Sequence, residues 1–454
     1  MRSVDICIES VQFSTTEHHY RAPIKFAGVA VDRATILTVN IGVRSPSGKV
    51  VNGWGSMPLG NVWAFPSSVL TYQETLNALL SCVAQVAKAW EDLTDWGHPV
   101  QLGWIIDKQL QKIAQMVKAQ NRFQEPVPVL AAMVANSAFD AAVHDAYGRL
   151  HGKSSWKCYG PSHLRGDLSS FLGDEFASEH LWHHLMEEPV PALPLYHLVG
   201  ALDSLGASDL PSSCGDCWPD TLEDWIAFNG LTHLKIKLSG EDIAWDVHRV
   251  LAVERVASAS MSSTTNRHWH YSLDFNEKCP SVESLIEFLR RLDELSPSAF
   301  SRIAYIEQPT RRDLRNDVGN SMHQVSKQIP VVIDESLVDL ESLYLAREMG
   351  YNGAALKACK GQTQSLLMAA AARKWGMFLC VQDLTCPGMS LVQSAGLASH
   401  ILGVSALEAN ARQYLPEANI LWANMHPGLF RITDGMIRTE SLHGVGLCTQ
   451  PPLA

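Results

Sequence analysis

The chain has 454 residues, 46% of them hydrophobic and 18% charged, with 36 basic side chains against 47 acidic ones and a net charge of −11. That composition is ordinary for a folded globular protein and excludes disorder as the default state. The negative balance, without any basic tract, argues against nucleic acid or an anionic membrane as a partner.

The first elements in chain order are three alternating strands, VDICIESVQF, ATILTVNIGVRS and KVVNGWGSM, with the turn Pro46-Ser47-Gly48 between the last two. Three helical patterns follow, over residues 71–94, 99–119 and 127–151. The third is rich in alanine and other small residues on its apolar face, as a buried helix requires. From about Leu193 short apolar strands take over: LPLYHLVG, THLKIKL, HWHYSLDF, RIAYIEQ, PVVIDES, GAALKA, MFLCVQD and GVSALEAN. From the third strand onward the intervening segments have helical spacing, as in VESLIEFLRRLDEL and TQSLLMAAAARKWG. Eight such units imply an α/β chain built on a parallel (β/α)8-type barrel, with its active site at the C-terminal strand ends. The tail, GLFRITDGMIRTESLHGVGL, reads as two short strands returning to the first domain. The expected division is an α+β capping domain over residues 1–190, a modified TIM-type barrel over 191–412, and a C-terminal return to the capping domain over 413–454.

The N-terminus has no apolar signal core and no apolar run reaches about 18 residues, so a cytoplasmic protein with no membrane partner is expected. Most of the ten cysteines stand singly in apolar settings, as in a reducing compartment. Cys214 and Cys217 form a CxxC in the stretch SLGASDLPSSCGDCWPD. With no second pair and no spaced histidines nearby, it reads as a loop insertion rather than a zinc or redox site.

Chemistry concentrates between Leu234 and Ala358, where apolar runs end in charge: Lys235 and Lys237, Asp274, Glu307, Asp334, then Lys357. Asp383 and Glu408 continue the series, one residue per strand–helix unit of roughly 30 residues. Charges at the tips of apolar strands are costly unless paired or bound to metal. Three hard oxygen ligands on successive strands suit an octahedral Mg²⁺ or Mn²⁺ that keeps positions open for substrate. Salt bridges with the neighbouring lysines are the structural alternative. Lys235 and Lys237, two apart on a strand, point to one side, and Lys357 lies four strands on. A lysine becomes a base near neutral pH when burial or another cation lowers its pKa, which Lys235 beside Lys237 supplies. The reading is an enzyme.

These residues, as the motifs Lys235-Ile236-Lys237, Asp274-Phe275-Asn276, Glu307-Gln308-Pro309, Asp334-Glu335-Ser336 and Lys357, resemble the enolase superfamily. Within it they are similar to the muconate-lactonizing-enzyme-like subgroup of the mandelate racemase/muconate lactonizing enzyme family. The resemblance covers nearly the whole chain, including the helix that ends SAFDAAVHDAYGRLHGK. It implies that Asp274, Glu307 and Asp334 bind Mg²⁺, which holds a substrate carboxylate and stabilises the enediolate formed when the α-proton leaves. Lys237 and Lys357 would serve as acid and base on opposite faces of the α-carbon. Lys235 would add positive charge and depress the pKa of Lys237, and Asn276 and Glu335 would orient ligands.

The resemblance implies an isomerase acting on a small-molecule carboxylate: a racemase, epimerase or cycloisomerase, and a homo-oligomer. The alternatives are a lyase, either an acid-sugar dehydratase or a succinylbenzoate-synthase-like enzyme, and a retired enzyme kept as a binding protein. The mandelate-racemase-like branch looks for an Asp–His pair on strands six and seven, where this chain has Lys357 and Gln382-Asp383. Dipeptide epimerases usually carry D-x-D on strand eight, where this chain has Glu408-Ala409-Asn410. Glu408 and Asp383 are candidate substrate contacts, with a rim salt bridge as the alternative for Asp383. A mobile loop over residues 13–26, FSTTEHHYRAPIKF, would offer His18, His19, Tyr20 and Arg21 over the barrel mouth. The stretches around Trp54 and Trp63 would line the same cleft, with a core role as the alternative.

Overall fold

The computed structural model describes residues 1–26, 29–260, 268–317 and 319–451. Strands β1 (Cys7–Phe26), β2 (Val29–Arg44) and β3 (Val50–Pro58) form an antiparallel sheet in that order. Alternation along β2 sends Leu37, Val39, Ile41 and Val43 into the core. Residues 13–26 are not a loop, which corrects the expectation. They are the second half of β1, paired with β2 from Phe13↔Val39 to His19↔Arg33, and again from Ile24↔Val31 after an irregularity. Cross-strand pairs such as Thr16↔Ile36 and Glu17↔Thr35 hold the polar segment extended although most of it is exposed.

Helix α1 (Asn61–Ala64) is one turn. It precedes α2 (Tyr72–Glu91), opened by a Thr71–Glu74 capping box, then α3 (Pro99–Asn121) and α4 (Val129–Leu150). The last three lie within a few residues of their sequence patterns. Helix α4 is buried along nearly its whole length. It lies so close to β3 that a Cβ on Gly53 or Gly55 would stand 2.2 Å or 2.0 Å from the carbonyl oxygens of Ala142 and Ala138. The short α5 (Ser169–Leu172) follows.

The eight expected barrel strands are all present: β4 (Ala192–Val199), β5 (His233–Lys237), β6 (His270–Asp274), β7 (Ile303–Glu307), β8 (Val331–Ile333), β9 (Gly353–Lys357), β10 (Phe378–Gln382) and β11 (Val404–Glu408). They pair in parallel in that order, and β11 closes onto β4. Between them run α6 (Leu222–Asn229), α7 (Ile243–Ala259), α8 (Val282–Leu295) with α9 (Pro297–Ser301), α10 (Leu340–Glu348), α11 (Gln362–Lys374) and α12 (Met389–His400). Among the described residues the β7–β8 connection has no α-helix, only a 3-10 turn at Leu314–Asn316, against the helical spacing expected there. Its Asp, Asn and Gly residues favour local side-chain turns: Asp313 accepts from the Asn316 backbone and amide, and Asp317 from Asn320.

Tyr196, Tyr305, Val332, Ala355, Cys380 and Ala406 fill the barrel interior as one layer. Counting two residues on from four of these along their strands gives Glu307, Lys357, Gln382 and Glu408. Strand parity therefore carries polar side chains to the mouth above a packed plug. The tail departs from expectation. It makes one short strand, β12 (Met436–Arg438), which pairs antiparallel with the start of β4 in the barrel. Beyond it the chain reaches the capping elements without a strand. Leu447 N donates to Asp145 of α4 at 2.7 Å, and Thr449 Oγ1 donates to the Trp54 carbonyl at 2.8 Å. Among the described residues no helix is long and apolar enough to cross a membrane.

Candidate active site

Lys235 stands one layer below the rim and reaches up into it. Its Nζ lies 2.8 Å from Glu307 Oε2, 2.9 Å from Glu408 Oε2 and 3.1 Å from Asp274 Oδ2. Lys237, level with Asp274 and Glu307 in the ladder, pairs with Asp274 and donates to Asn276 Oδ1 at 3.0 Å. On the other side Lys357 Nζ is 2.8 Å from Asp334 Oδ2 and 4.7 Å from the centre of the Trp63 ring. Its direction to Asp334 is that of an ion pair rather than an aligned hydrogen bond.

The lysines, rather than one shared centre, pair the carboxylates in this arrangement. Among the described residues no three carboxylate, imidazole or thiol groups stand together as a metal cluster. The buried rim holds Asp274, Glu307, Asp334, Glu335 and Glu408 against Lys235, Lys237, Lys357 and Lys360, an excess of one carboxyl if all ionise.

The excess appears as perturbed acids. Burial pushes Asp274 up, but Lys237 and Lys235 override it and hold its carboxyl below the usual range. Asp334 is likewise held at about 2 by Lys357 and Lys360 against its burial. Glu307 goes the other way: burial and then Asp274 push it well up although Lys235 touches it. Glu335 is raised to about 8 by burial and Asp334, and Asp383 to about 7 by burial and Glu408. Hard oxygen donors crowded until Glu307 and Glu335 are pushed towards their protonated forms fit a divalent cation.

Lys357 and Lys235 are both raised rather than lowered. Burial alone would lower them, but the carboxylates together outweigh it, Asp334 with Glu307 and Glu335 at Lys357 and Glu307 with Glu408 and Asp274 at Lys235.

Other predicted residues fall at different distances from this centre. Asn276, at φ 52°, donates its backbone N–H to Asp274 Oδ1 at 2.9 Å and its amide to Leu238 O at 3.0 Å, so it orients Asp274. Glu335 accepts from Trp63 Nε1 at 2.9 Å, and its Oε2 is buried without a partner. Glu408 joins the centre through Lys235 and accepts from the Asn410 amide at 2.6 Å. Asp383 follows the inward-facing Gln382, so strand parity turns it away. It accepts from the backbone N–H groups of Thr385 at 2.9 Å, Asn410 at 2.9 Å and Cys386 at 3.3 Å, binding two loops together. Tyr20 is half-buried with its ring 6.3 Å from Tyr414. His19 does not join the site: it is 71% exposed, 3.8 Å from Glu17. Arg21 is held by Asp216 and Asp220 of the CxxC insertion, at 2.7 and 2.9 Å. Cys214 and Cys217 are free and exposed.

Four residues of the centre were not singled out in the sequence for what they do there. Gln382 donates to Glu307, and its place on the same strand face as Cys380 was the available signal. Gln308 accepts through Oε1 from the backbone of Asp334 at 3.0 Å and of Ser336 at 3.3 Å. Lys360 Nζ donates to the Asp334 carbonyl at 2.5 Å and to its Oδ1 at 3.1 Å. Trp63, expected only to line the cleft, binds Glu335 and covers Lys357. For Lys360 no periodic signal existed, because it follows the strand in a 3-10 turn.

A capped, closed parallel barrel whose mouth carries interlocked lysines and carboxylates defines a distinct class of α/β protein. The chain belongs to the enolase C-terminal domain-like family, whose model matches residues 219–451, just over half of its length. Solved structures share the whole architecture. An enolase from Bradyrhizobium complexed with magnesium and mandelic acid is 17% identical, with 98% of this chain and 96% of that one covered and a TM-score of 0.61. A dipeptide epimerase from Enterococcus faecalis V583, complexed with magnesium and the dipeptide L-Leu-L-Tyr, is 15% identical over 97% and 99% with a TM-score of 0.60. Muconate lactonizing enzyme from Pseudomonas fluorescens, complexed with muconolactone, is 16% identical over 98% and 96% with a TM-score of 0.58. A search of curated proteins finds no match.

Proposed function

We propose that the protein is a magnesium-dependent isomerase that removes the α-proton of a carboxylate substrate, by way of an enediolate, and acts as a racemase, epimerase or cycloisomerase. The observation that carries this reading is the cluster of buried carboxyls at the barrel mouth, one more than the lysines among them, between lysines on opposite sides of the barrel. Asp274, Glu307 and Asp334 would hold the Mg²⁺, or Mn²⁺. When bound, the metal supplies Lewis-acid charge for the substrate carboxylate and for the negative charge that builds there as the proton leaves.

The remaining work falls to the chain. Lys237 on β5 and Lys357 on β9 stand four strands apart in an eight-stranded ring, so a substrate between them meets one ammonium on each face. One Nζ takes the α-proton, and the other returns a proton to the opposite face or stays as a fixed charge. Lys357 reaches the pKa of a base only after losing the Asp334 carboxylate that now keeps it protonated. Lys235, Gln382 and Asn276 hold the carboxylates in place, and Trp63 shuts the Lys357 side from water. The solved relatives support the reading: the Bradyrhizobium and Enterococcus proteins were crystallised with magnesium and an organic ligand.

Incubation with hydroxy acids and dipeptides in deuterated water, with magnesium or with EDTA, tests it. Deuterium at the α-carbon with loss of stereochemistry, only with magnesium, is the expected result. Loss of water from the substrate would replace the isomerase by the lyase. Exchange that continues in EDTA would remove the metal from the account.

A further inference from the structure

Asp140 on α4 is fully buried, and no lysine or arginine pairs with it among the described residues; His144 Nε2 stands 3.5 Å away, and the Asp107 carboxyl, raised by its own burial, is close enough to be raised further by Asp140. A carboxyl so placed needs donors. They come from the barrel: Thr363 donates its backbone N–H to Asp140 Oδ2 at 2.6 Å and its hydroxyl to Oδ1 at 2.8 Å. Thr363 is the second residue of α11, whose own N-cap, Gly361, has no side chain to offer. Asp140 therefore caps a barrel helix from the capping domain, satisfying an orphan N–H and meeting the positive end of the helix.

The contact is built closely. A Cβ on Gly103 of α3 would stand 2.3 Å from Thr363 Oγ1 and 2.6 Å from Asp140 Oδ1. His144 Nε2 is 3.0 Å from the same hydroxyl, and its Nδ1 is 2.8 Å from the Tyr159 hydroxyl.

From Thr363 the path to the catalytic rim is short. Ser365, two residues on, donates through Oγ to the carbonyl of Lys357 at 2.9 Å. The turn Ala358–Lys360 joins the two and sends Lys360 back to Asp334. We propose that Asp140 is a positioning residue: through Thr363 and the first turn of α11 it sets where Lys357 and Lys360 stand against Asp334. This rests on reading Lys357 as one of the two acid–base lysines. Lys235 and Lys237, carried by β5 between β4 and β6, have no share in this path.

Trace acetylation of the intact protein by acetic anhydride, read by mass spectrometry at each lysine, tests the proposal without substrate or metal. In Asp140→Ala, Lys357 and Lys360 are expected to react about tenfold faster than in the wild type, the scale of losing hydrogen bonds to a charged group. Lys235 and Lys237 keep their wild-type rates. Asp140→Asn, which still accepts from the Thr363 N–H, returns most of the protection. A uniform rise at all four lysines, or none, would overturn the proposal. If Asp140→Ala does not fold, Thr363→Val removes the hydroxyl arm alone and is judged by the same ratio. Absence of α-proton exchange in the wild type would overturn the functional reading and leave this measurement intact.

Discussion

Lys235→Met is the perturbation that separates a lysine-neutralised centre from a metal centre. Lys235 is the one ammonium shared by Asp274, Glu307 and Glu408, all buried. Removing one side of a buried ion pair costs about 3–5 kcal/mol, because the remaining charge is stranded. The lower part of that range applies, since Glu307 is already pushed towards its protonated form and can take up a proton. At about 2–4 °C per kcal/mol for a domain of the barrel's size, the thermal midpoint in EDTA falls by roughly 10 °C. With magnesium the carboxylates have another cation, so the midpoint of the variant returns to within a few degrees of the wild type in the same buffer. Melts followed by circular dichroism in EDTA and in millimolar magnesium give both numbers. An equal loss in the two buffers would refute the reasoning, because the carboxylates would then hold no metal.

Trp63→Phe keeps a ring over Lys357 and loses the N–H to Glu335, whereas Trp63→Ala loses both. Turnover of the acid identified by exchange is expected to fall a few-fold in the first and about tenfold or more in the second, the scale of a desolvated cation–π contact. Asp383→Ala strands three backbone N–H groups at about 1–3 kcal/mol each. Its thermal midpoint should drop sharply even with magnesium, and a variant that keeps its stability while losing turnover would make Asp383 a substrate contact instead. His400 is fully buried, stacked on Trp156 at 4.3 Å, with its pKa lowered to about 4 by burial. Its neutral form is favoured in the folded state, so its contribution is present above pH 6.5 and is lost as the pH falls towards 4. Between pH 7 and 5 the wild type should lose about 2 kcal/mol relative to His400→Phe in urea titrations. Parallel pH profiles of the two proteins would contradict this.

The barrel was legible because most of its strands are apolar runs ended by charge, and charge at a strand tip is tolerable only at a mouth. The metal candidates and both lysine sites followed from the same pattern. What escaped had physical reasons. Gln382 carries no charge to mark it beside its acidic neighbour Asp383, although parity with Cys380 turns Gln382 inward and leaves Asp383 to bind backbone. The polar run over residues 13–26 reads as a loop by composition, yet it is kept extended by a long partner strand that composition does not reveal. The β7–β8 connection has apolar residues at near-helical intervals, but Asp313 and Asp317 capture the backbone and side chains first. Lys360 and Trp63 enter the centre from a turn and from a separate domain, which no periodicity within the barrel could show.

The most direct test of the central claim is stereospecific hydrogen exchange in deuterated water with magnesium, using each enantiomer of a substrate separately. Lys357→Ala is expected to abolish exchange from one enantiomer and Lys237→Ala from the other, with both variants folded and still stabilised by magnesium. Full exchange of both enantiomers in either variant would show that these lysines are not the opposed acid and base.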